Sequence, residues 1–332
     1  MMFNMSSTIF FMSLITGTLI SISSTSWIGM WMGLEMNLLS FIPLMNKNKT
    51  PYENESAMKY FLVQAIASIM FLLAILLASM MDFDYYTYIN YILSSALLMK
   101  MGAAPFHFWF PGVMEGLDWM NCLILMTWQK IAPFALLSYK LFMNNFFMTI
   151  IILCVTVGAV GGLNQSSIRK IMAYSSISHL GWMISAMMIS NYYWIMYFFI
   201  YSLMNMAVIY LFKSQSLFHL SQIYFNKNSS IVKFSIFISM LSLGGLPPFL
   251  GFLPKWMIIQ NMMATQYAII ILIMVMTTLL TLYFYLRIMM NAFTFMGNEL
   301  MWQTSSNKTN ILILLISISI LGIPMLMILP LN

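Results

Sequence analysis

The sequence predicts an all-α integral membrane protein of about eleven transmembrane helices. They are read as two inverted five-helix repeats with a broken fourth helix in each, plus one C-terminal helix. Three observations carry this. Hydrophobic residues fill 61% of the 332 positions and the mean hydropathy is +0.88, far above the soluble range. Apolar runs of bilayer-spanning length recur from end to end. Only 7% of residues are charged, and most of those fall in connections; Glu35, Lys100, Lys130 and Lys255 are the exceptions, set inside apolar runs.

In chain order the spans are expected at roughly 5–23, 26–45, 57–80, 86–109, 119–141, 146–164, 168–190, 192–213, 232–256, 265–290 and 309–330. The whole chain is then a single polytopic membrane domain, with a first repeat at about 5–141, a second at about 146–290 and a final helix at about 309–330. Longer polar connections are expected at 46–56, 214–231 and 291–308. Small residues at Gly29 and Gly33, and at Gly158 and Gly162, have the spacing that lets helices pack closely.

The fourth span reads LLMKMGAAPFHFWFP, with Lys100 five residues before Pro105. The ninth reads LSLGGLPPFLGFLPKW and leads through Gly244, Gly245, Pro247, Pro248, Gly251 and Pro254 to Lys255. Proline lacks a backbone donor and frees the carbonyl four residues earlier. Inside lipid such a group must face protein or water, so both helices are expected to break beside a polar cavity. Each break falls in the fourth place of its five-span group. Five is odd, so the second group enters the membrane from the opposite face.

A charge at membrane depth costs at least roughly 2.5–3.5 kcal/mol. Glu35, beside Asn37, and Lys130, three residues before Pro133, are both mid-span, where snorkelling to the headgroups is out of reach. At an effective dielectric near 20, unit charges about 4 Å apart interact by roughly 4 kcal/mol. A Glu–Lys pair in a partly hydrated cavity is therefore a switch: closed, the lysine keeps its proton; opened, it can release it. His107 lies seven residues after Lys100, on about the same helix face. His179 sits mid-span among Ser175, Ser176 and Ser178. Each histidine either hydrogen-bonds a neighbour or serves as a stage of a proton wire.

Basic residues mark orientation. One side of the membrane collects Lys47, Lys49, Lys59, Arg169, Lys170, Lys213, Lys227, Lys233, Arg287 and Lys308; the other has Lys140 with Asp82 and Asp84. The N-terminus is thus expected on the matrix or cytoplasmic side and the C-terminus opposite. No cleavable signal is expected at the N-terminus, where the apolar stretch lacks a basic flank and a small-residue cleavage site. The net charge of +6 suits an anionic lipid surface, not nucleic acid. The two cysteines, Cys122 and Cys154, lie in apolar runs and make no metal or disulfide framework. There is no GxGxxG or phosphate-binding loop, and His107, His179 and His219 do not form a bis-His haem pair. The 38 methionines fit flexible core filling. They also fit an organelle genome in which ATA codes for Met.

WMGLEMNLLSFIPL, KMGAAPFHFWFP, TWQKIAP, GGLNQSSIRKIMAYSSISHLGW and LSLGGLPPFLGFLPKW, in that order along nearly the whole chain, resemble the antiporter-like membrane chains of mitochondrial NADH:ubiquinone oxidoreductase (complex I). The methionine-rich composition resembles that of insects and other animals with AT-rich mitochondrial genomes. The resemblance implies a proton-translocating subunit of the mitochondrial inner membrane, with its N-terminus in the matrix and its C-terminus in the intermembrane space. It implies that Glu35 partners Lys100, that Lys130 is the central lysine and that Lys255 serves the exit side. No cofactor is implied on this chain; NADH, FMN, iron–sulfur clusters and ubiquinone belong to other subunits. Implied partners are a small three-helix membrane chain, a larger sister antiporter-like chain, accessory subunits and lipids such as cardiolipin. Bacterial members carry three further N-terminal helices, whereas this chain starts at the span before Glu35.

Two other readings compete. A stand-alone or Mrp-type cation/proton antiporter would share the broken-helix lysines, although no acidic cluster suited to Na⁺ is evident. A purely structural subunit would use its lysines for packing or lipid contact.

Overall fold

The computed structural model describes residues 5–47, 49–80, 86–139, 145–225, 230–264 and 267–293. The regular elements among them are helices, with an isolated bridge between Ser167 and His219. The chain divides into two compact units, Met1–Met143 and Asn144–Asn332.

The first unit begins with α1 (Met5–Ser23) and α2 (Trp27–Met45). Ser26 starts α2 from an extended conformation, its hydroxyl accepting from the Gly29 amide at 3.2 Å. The two helices touch backbone to backbone: a Cβ on Gly33 would lie 2.5 Å from the Ser21 nitrogen and 2.8 Å from the Gly17 carbonyl. Gly29, by contrast, faces the Ser24–Ser26 turn, so only one of the two expected small residues makes the helix contact. α3 (Pro51–Met80) starts several residues before its expected span, because Pro51 suits the first helical position and the Thr50 hydroxyl accepts from the Glu53 amide.

α4 (Tyr86–Met101) then stops where the proline signal places a break. Gly102 turns the chain with φ of +73°, and the Ala104–Pro105 peptide is cis. Helix resumes as α5 (Trp109–Gly116). A further break was not expected. The span around Lys130 divides at Thr127 into α6 (Trp119–Met126) and α7 (Trp128–Ser138). Pro133 withholds the amide that would have paired with the Gln129 carbonyl, which weakens the first turn of α7. The Thr127 hydroxyl donates to the Leu123 carbonyl at 2.7 Å and covers the end of α6.

The second unit contains α8 (Asn145–Leu163), α9 (Ile168–Ile189), α10 (Asn191–Ser214), a short α11 (Leu220–Phe225), α12 (Ser230–Gly244), α13 (Phe252–Ala264) and α14 (Ala268–Phe293). α9 runs through its middle, packed by α8, α10, α13 and α14 and buried almost throughout. Gly158 of α8 permits a close backbone approach to α9: a Cβ there would come within 2.6 Å of the Ser178 nitrogen. The break between α12 and α13 opens at Gly245, with φ of +76°.

Lipid explains which helices are most apolar. α1, α2, α3, α8, α10, α14 and the α6–α7 pair are the described segments long and apolar enough to cross a bilayer. α3 turns Leu62, Ile66 and Ile69 outward, all more than half exposed. α9 is long enough but carries Arg169, Lys170, His179 and four serines. A helix walled in by its own unit need not satisfy lipid. α4, α12 and α13 are halves of broken spans. The expected final helix at 309–330 lies outside the described residues.

Candidate functional site

Glu35, Lys100 and Lys130 belong to the first unit, on α2, α4 and α7. The α4 break is held by side chains that satisfy the carbonyls it frees. Gln64 of α3 donates to the Lys100 carbonyl at 3.2 Å, and the Trp109 indole donates to the Met99 carbonyl at 3.2 Å. Lys100 thus occupies the last turn of a half-helix, where the partial negative charge of the helix end favours an ammonium. It is 7% exposed.

Glu35 acts electrostatically on both Lys100 and Tyr60. It forms no salt bridge with Lys100 within 4.0 Å, so the expected ion pair is not closed in this structure. One carboxylate oxygen of Glu35, Oε1, is sealed from the surface and accepts no hydrogen bond. Such a group is an uncommon and costly feature of a folded protein. Lys130, 1% exposed, is the most deeply buried of the three lysines. Its ammonium lies 5.2 Å from the centre of the Phe110 ring, and its amide donates to the Thr127 carbonyl across the α6–α7 break.

A small cavity of about 10 Å³ opens onto Lys100, with Asn37, Tyr60, Gln64 and Gln129 as its other polar walls. Asn37 entered the sequence reading only as a neighbour of Glu35. Tyr60, Gln64 and Gln129 were passed over, being neutral. A signal existed for two of them, since Tyr60 and Gln64 are four residues apart on one face of an apolar helix.

His107 does not share a helix face with Lys100. α4 ends at Met101 and helix resumes only at Trp109, so the seven-residue spacing has no helical meaning. Its ring lies tilted against Phe108 at 4.3 Å, and Nδ1 lies 3.2 Å from the Pro105 carbonyl.

Lys255 and His179 belong to the second unit. Lys255 starts on α13 but reaches back across the break, donating to the Gly244 carbonyl at 3.0 Å. That carbonyl ends α12, so the Lys255 ammonium meets the C-terminal end of one half-helix, while Lys100 stands in the last turn of another. Trp182 of α9 lies 5.9 Å from the same ammonium.

His179 finds a partner the sequence reading did not name. Its Nδ1 is 2.8 Å from the Tyr197 hydroxyl, and the Tyr201 ring lies 5.0 Å away. Ser175, Ser176 and Ser178 donate to the carbonyls three residues back, each at 2.7 Å. The serines therefore serve their own helix. Ser176 and Ser175 also lie beside the Tyr201 and Tyr285 hydroxyls, extending the polar cluster around α9. Among the described residues, no group of three or more His, Cys, Asp or Glu could hold a metal ion.

Buried lysines at helix breaks, a carboxylate whose charge reaches one of them and a polar cluster around a central helix define an antiporter-like polytopic membrane protein. Residues 24–281 match the family described as NADH:quinone oxidoreductase/Mrp antiporter, transmembrane, and the chain belongs to that family. It is 53% identical to NADH-ubiquinone oxidoreductase chain 2 of Anopheles gambiae over 92% of this chain and 91% of that one. The protein of the same name from Locusta migratoria is 48% identical over 95% of this chain and 93% of its own. In fold the chain is similar to a chain of respiratory complex I from Thermus thermophilus, with a TM-score of 0.84 at 23% identity over 96% of this chain and 78% of that one. It is also similar to a chain of the Mrp complex from Dietzia, with a TM-score of 0.74 at 17% identity over 88% and 61% of the two chains.

Proposed function

We propose that this chain is a proton-translocating core membrane subunit of a mitochondrial NADH:ubiquinone oxidoreductase, occupying the place of chain 2 in its insect relatives. The observation that carries the mechanism is the placement of Lys100 and Lys255, both buried beside the break of a membrane helix. A charge held there by a helix end and by neighbouring polar groups can bind and release a proton without entering lipid. Glu35, Lys100 and Lys130 serve the first unit, and His179 with Lys255 the second; His107, held to its own loop, is the weakest member of the set.

The two units are read as inverted five-helix repeats, α1 to α7 and α8 to α14, with a helix at 309–330 completing about eleven spans. The similar build of the two lysine sites supports this reading. NADH, FMN, iron–sulfur clusters and ubiquinone are assigned to other subunits. The partners are a small three-helix chain, a larger sister antiporter-like chain, accessory subunits and lipids such as cardiolipin. The N-terminus lies in the matrix and the C-terminus in the intermembrane space. The similarity over nearly full length to chain 2 relatives favours this over a stand-alone cation/proton antiporter.

The test replaces Lys130 by Met in the assembled complex. Proton pumping per NADH should fall at least tenfold while NADH oxidation by an artificial acceptor stays normal. Unchanged pumping in a fully assembled complex would leave the lysines a structural role only.

A further inference from the structure

The bond between Tyr197 and His179 carries an inference that rests on the proton-transfer reading and adds an uncharged residue to it. α9 and α10 pack on each other and are joined at Ser190, which brings together two residues 18 apart in the chain. The Tyr197 hydroxyl lies 2.8 Å from His179 Nδ1. Tyr197 is 1% exposed and His179 4%, which keeps bulk water from the bond.

The direction of the bond follows from what the hydroxyl can reach. A tyrosine hydroxyl donates one hydrogen and also accepts, and an imidazole Nδ1 does either according to its tautomer. Among the described residues, His179 is the hydrogen-bond partner of the Tyr197 hydroxyl. A buried O–H aimed at no acceptor is costly, so this hydrogen goes to Nδ1. Nearby hydroxyls do not compete for that nitrogen. Ser175, Ser176 and Ser178 give their hydrogens to carbonyls of α9, and the Tyr201 hydroxyl lies beside Asn205 and Ser176. A neutral ring whose Nδ1 accepts carries its hydrogen on Nε2.

We propose that Tyr197 is a positioning residue for His179, setting the direction of the ring and keeping the neutral imidazole as the Nε2–H tautomer. The neutral ring then has one nitrogen lone pair, on Nδ1, and an arriving proton adds there. The hydroxyl turns about its own C–O bond and accepts from the new Nδ1–H. When that proton leaves, the hydroxyl turns back and donates again. One bond serves both charge states, and the ring stays in place through the cycle. Tyr197 keeps its own hydrogen throughout.

Tyr197→Phe removes the hydroxyl and keeps the ring; His179→Leu removes the imidazole. In assembled complex reconstituted in vesicles, Tyr197→Phe should lower proton pumping per NADH at least threefold, and His179→Leu should lower it further. NADH oxidation by an artificial acceptor should stay normal in both. The double variant should match His179→Leu in pumping and in assembly yield, because Tyr197 acts through the histidine. A high-resolution map should show one His179 ring orientation in the parent and a turned or doubled ring in Tyr197→Phe. Parent-level pumping by Tyr197→Phe, an unmoved ring in it, or a double variant that assembles less well than His179→Leu would overturn the proposal. If Tyr197→Phe does not assemble, the parent map decides. A single ring with Nδ1 on the hydroxyl supports the proposal, and a doubled ring or a broken bond overturns it. Normal pumping by His179→Leu beside a loss in Lys130→Met would defeat this inference and leave the proton-transfer reading standing. Normal pumping by Lys130→Met would defeat that reading and this inference with it.

Discussion

Lys255 shows how a charge that lipid would reject is held in place. Its ammonium donates to the last carbonyl of α12 and lies near the Trp182 face, so a helix end and an aromatic quadrupole replace a counter-ion. Lys255→Met should abolish this link and lower pumping at least tenfold. The lost charged hydrogen bond is worth roughly 1.5–3 kcal/mol, offset in part by the lower cost of burying Met. Thermal unfolding of the assembled complex would therefore move little, and a large drop would assign Lys255 to stability. Glu35→Gln keeps the shape and removes the charge that acts on Lys100. NADH oxidation by an artificial acceptor should be unchanged while pumping falls; a parallel loss of both in assembled complex would count against this site. Residues such as Tyr197 mark the limit of sequence reading. Nothing in its local sequence distinguishes it from an aromatic anchor, and its bond to His179 is visible only once α9 and α10 are packed.

At the level of elements, the contrast between α3 and the α1–α2 pair decides where substitution is tolerated. Gly33 and Gly17 bring two helix backbones together, and a methyl at Gly33 has nowhere to go. Gly33→Ala should cost roughly 1–3 kcal/mol through forced separation of the helices. It would be read as a lower melting temperature or a lower assembly yield, and an unchanged melting point would deny the contact its weight. Ile66, turned outward on α3, should accept Val with a change within about 0.5 kcal/mol. The α4 and α12 breaks were legible because glycine and proline act through their own backbones. The α6–α7 break was less so, since Pro133 lies six residues beyond Thr127 and its effect depends on how Thr127 closes the end of α6.

For the whole molecule, the testable quantity is sidedness. Cys122 and Cys154 are buried, so this chain's own thiols add little background when its band is labelled. Thr50→Cys, in the connection before α3, should react with an impermeant thiol reagent only from the matrix side. Ser190→Cys, in the turn between α9 and α10, should react only from the opposite side. Labelling of both from one face would break the odd number of crossings between them, and labelling of Thr50→Cys from the intermembrane-space side would break the N-terminal orientation.

Class, the rough placement of the apolar helices among the described residues, two of the breaks and the buried lysines were determined by sequence alone. The reason is that lipid imposes its costs one residue at a time: a charge, a proline or a run of apolar side chains has its meaning wherever the chain goes. Neutral polar side chains carry no such penalty large enough to mark them. The Gln129–Asn37 bond joins residues 92 apart, and Tyr60 reaches Gln129 across 69. Which tyrosine meets His179, whether Glu35 closes on Lys100, and which carboxamide Gln129 meets were decided by tertiary packing, because hydrogen-bond partners are fixed by distance in space and not by spacing along the chain.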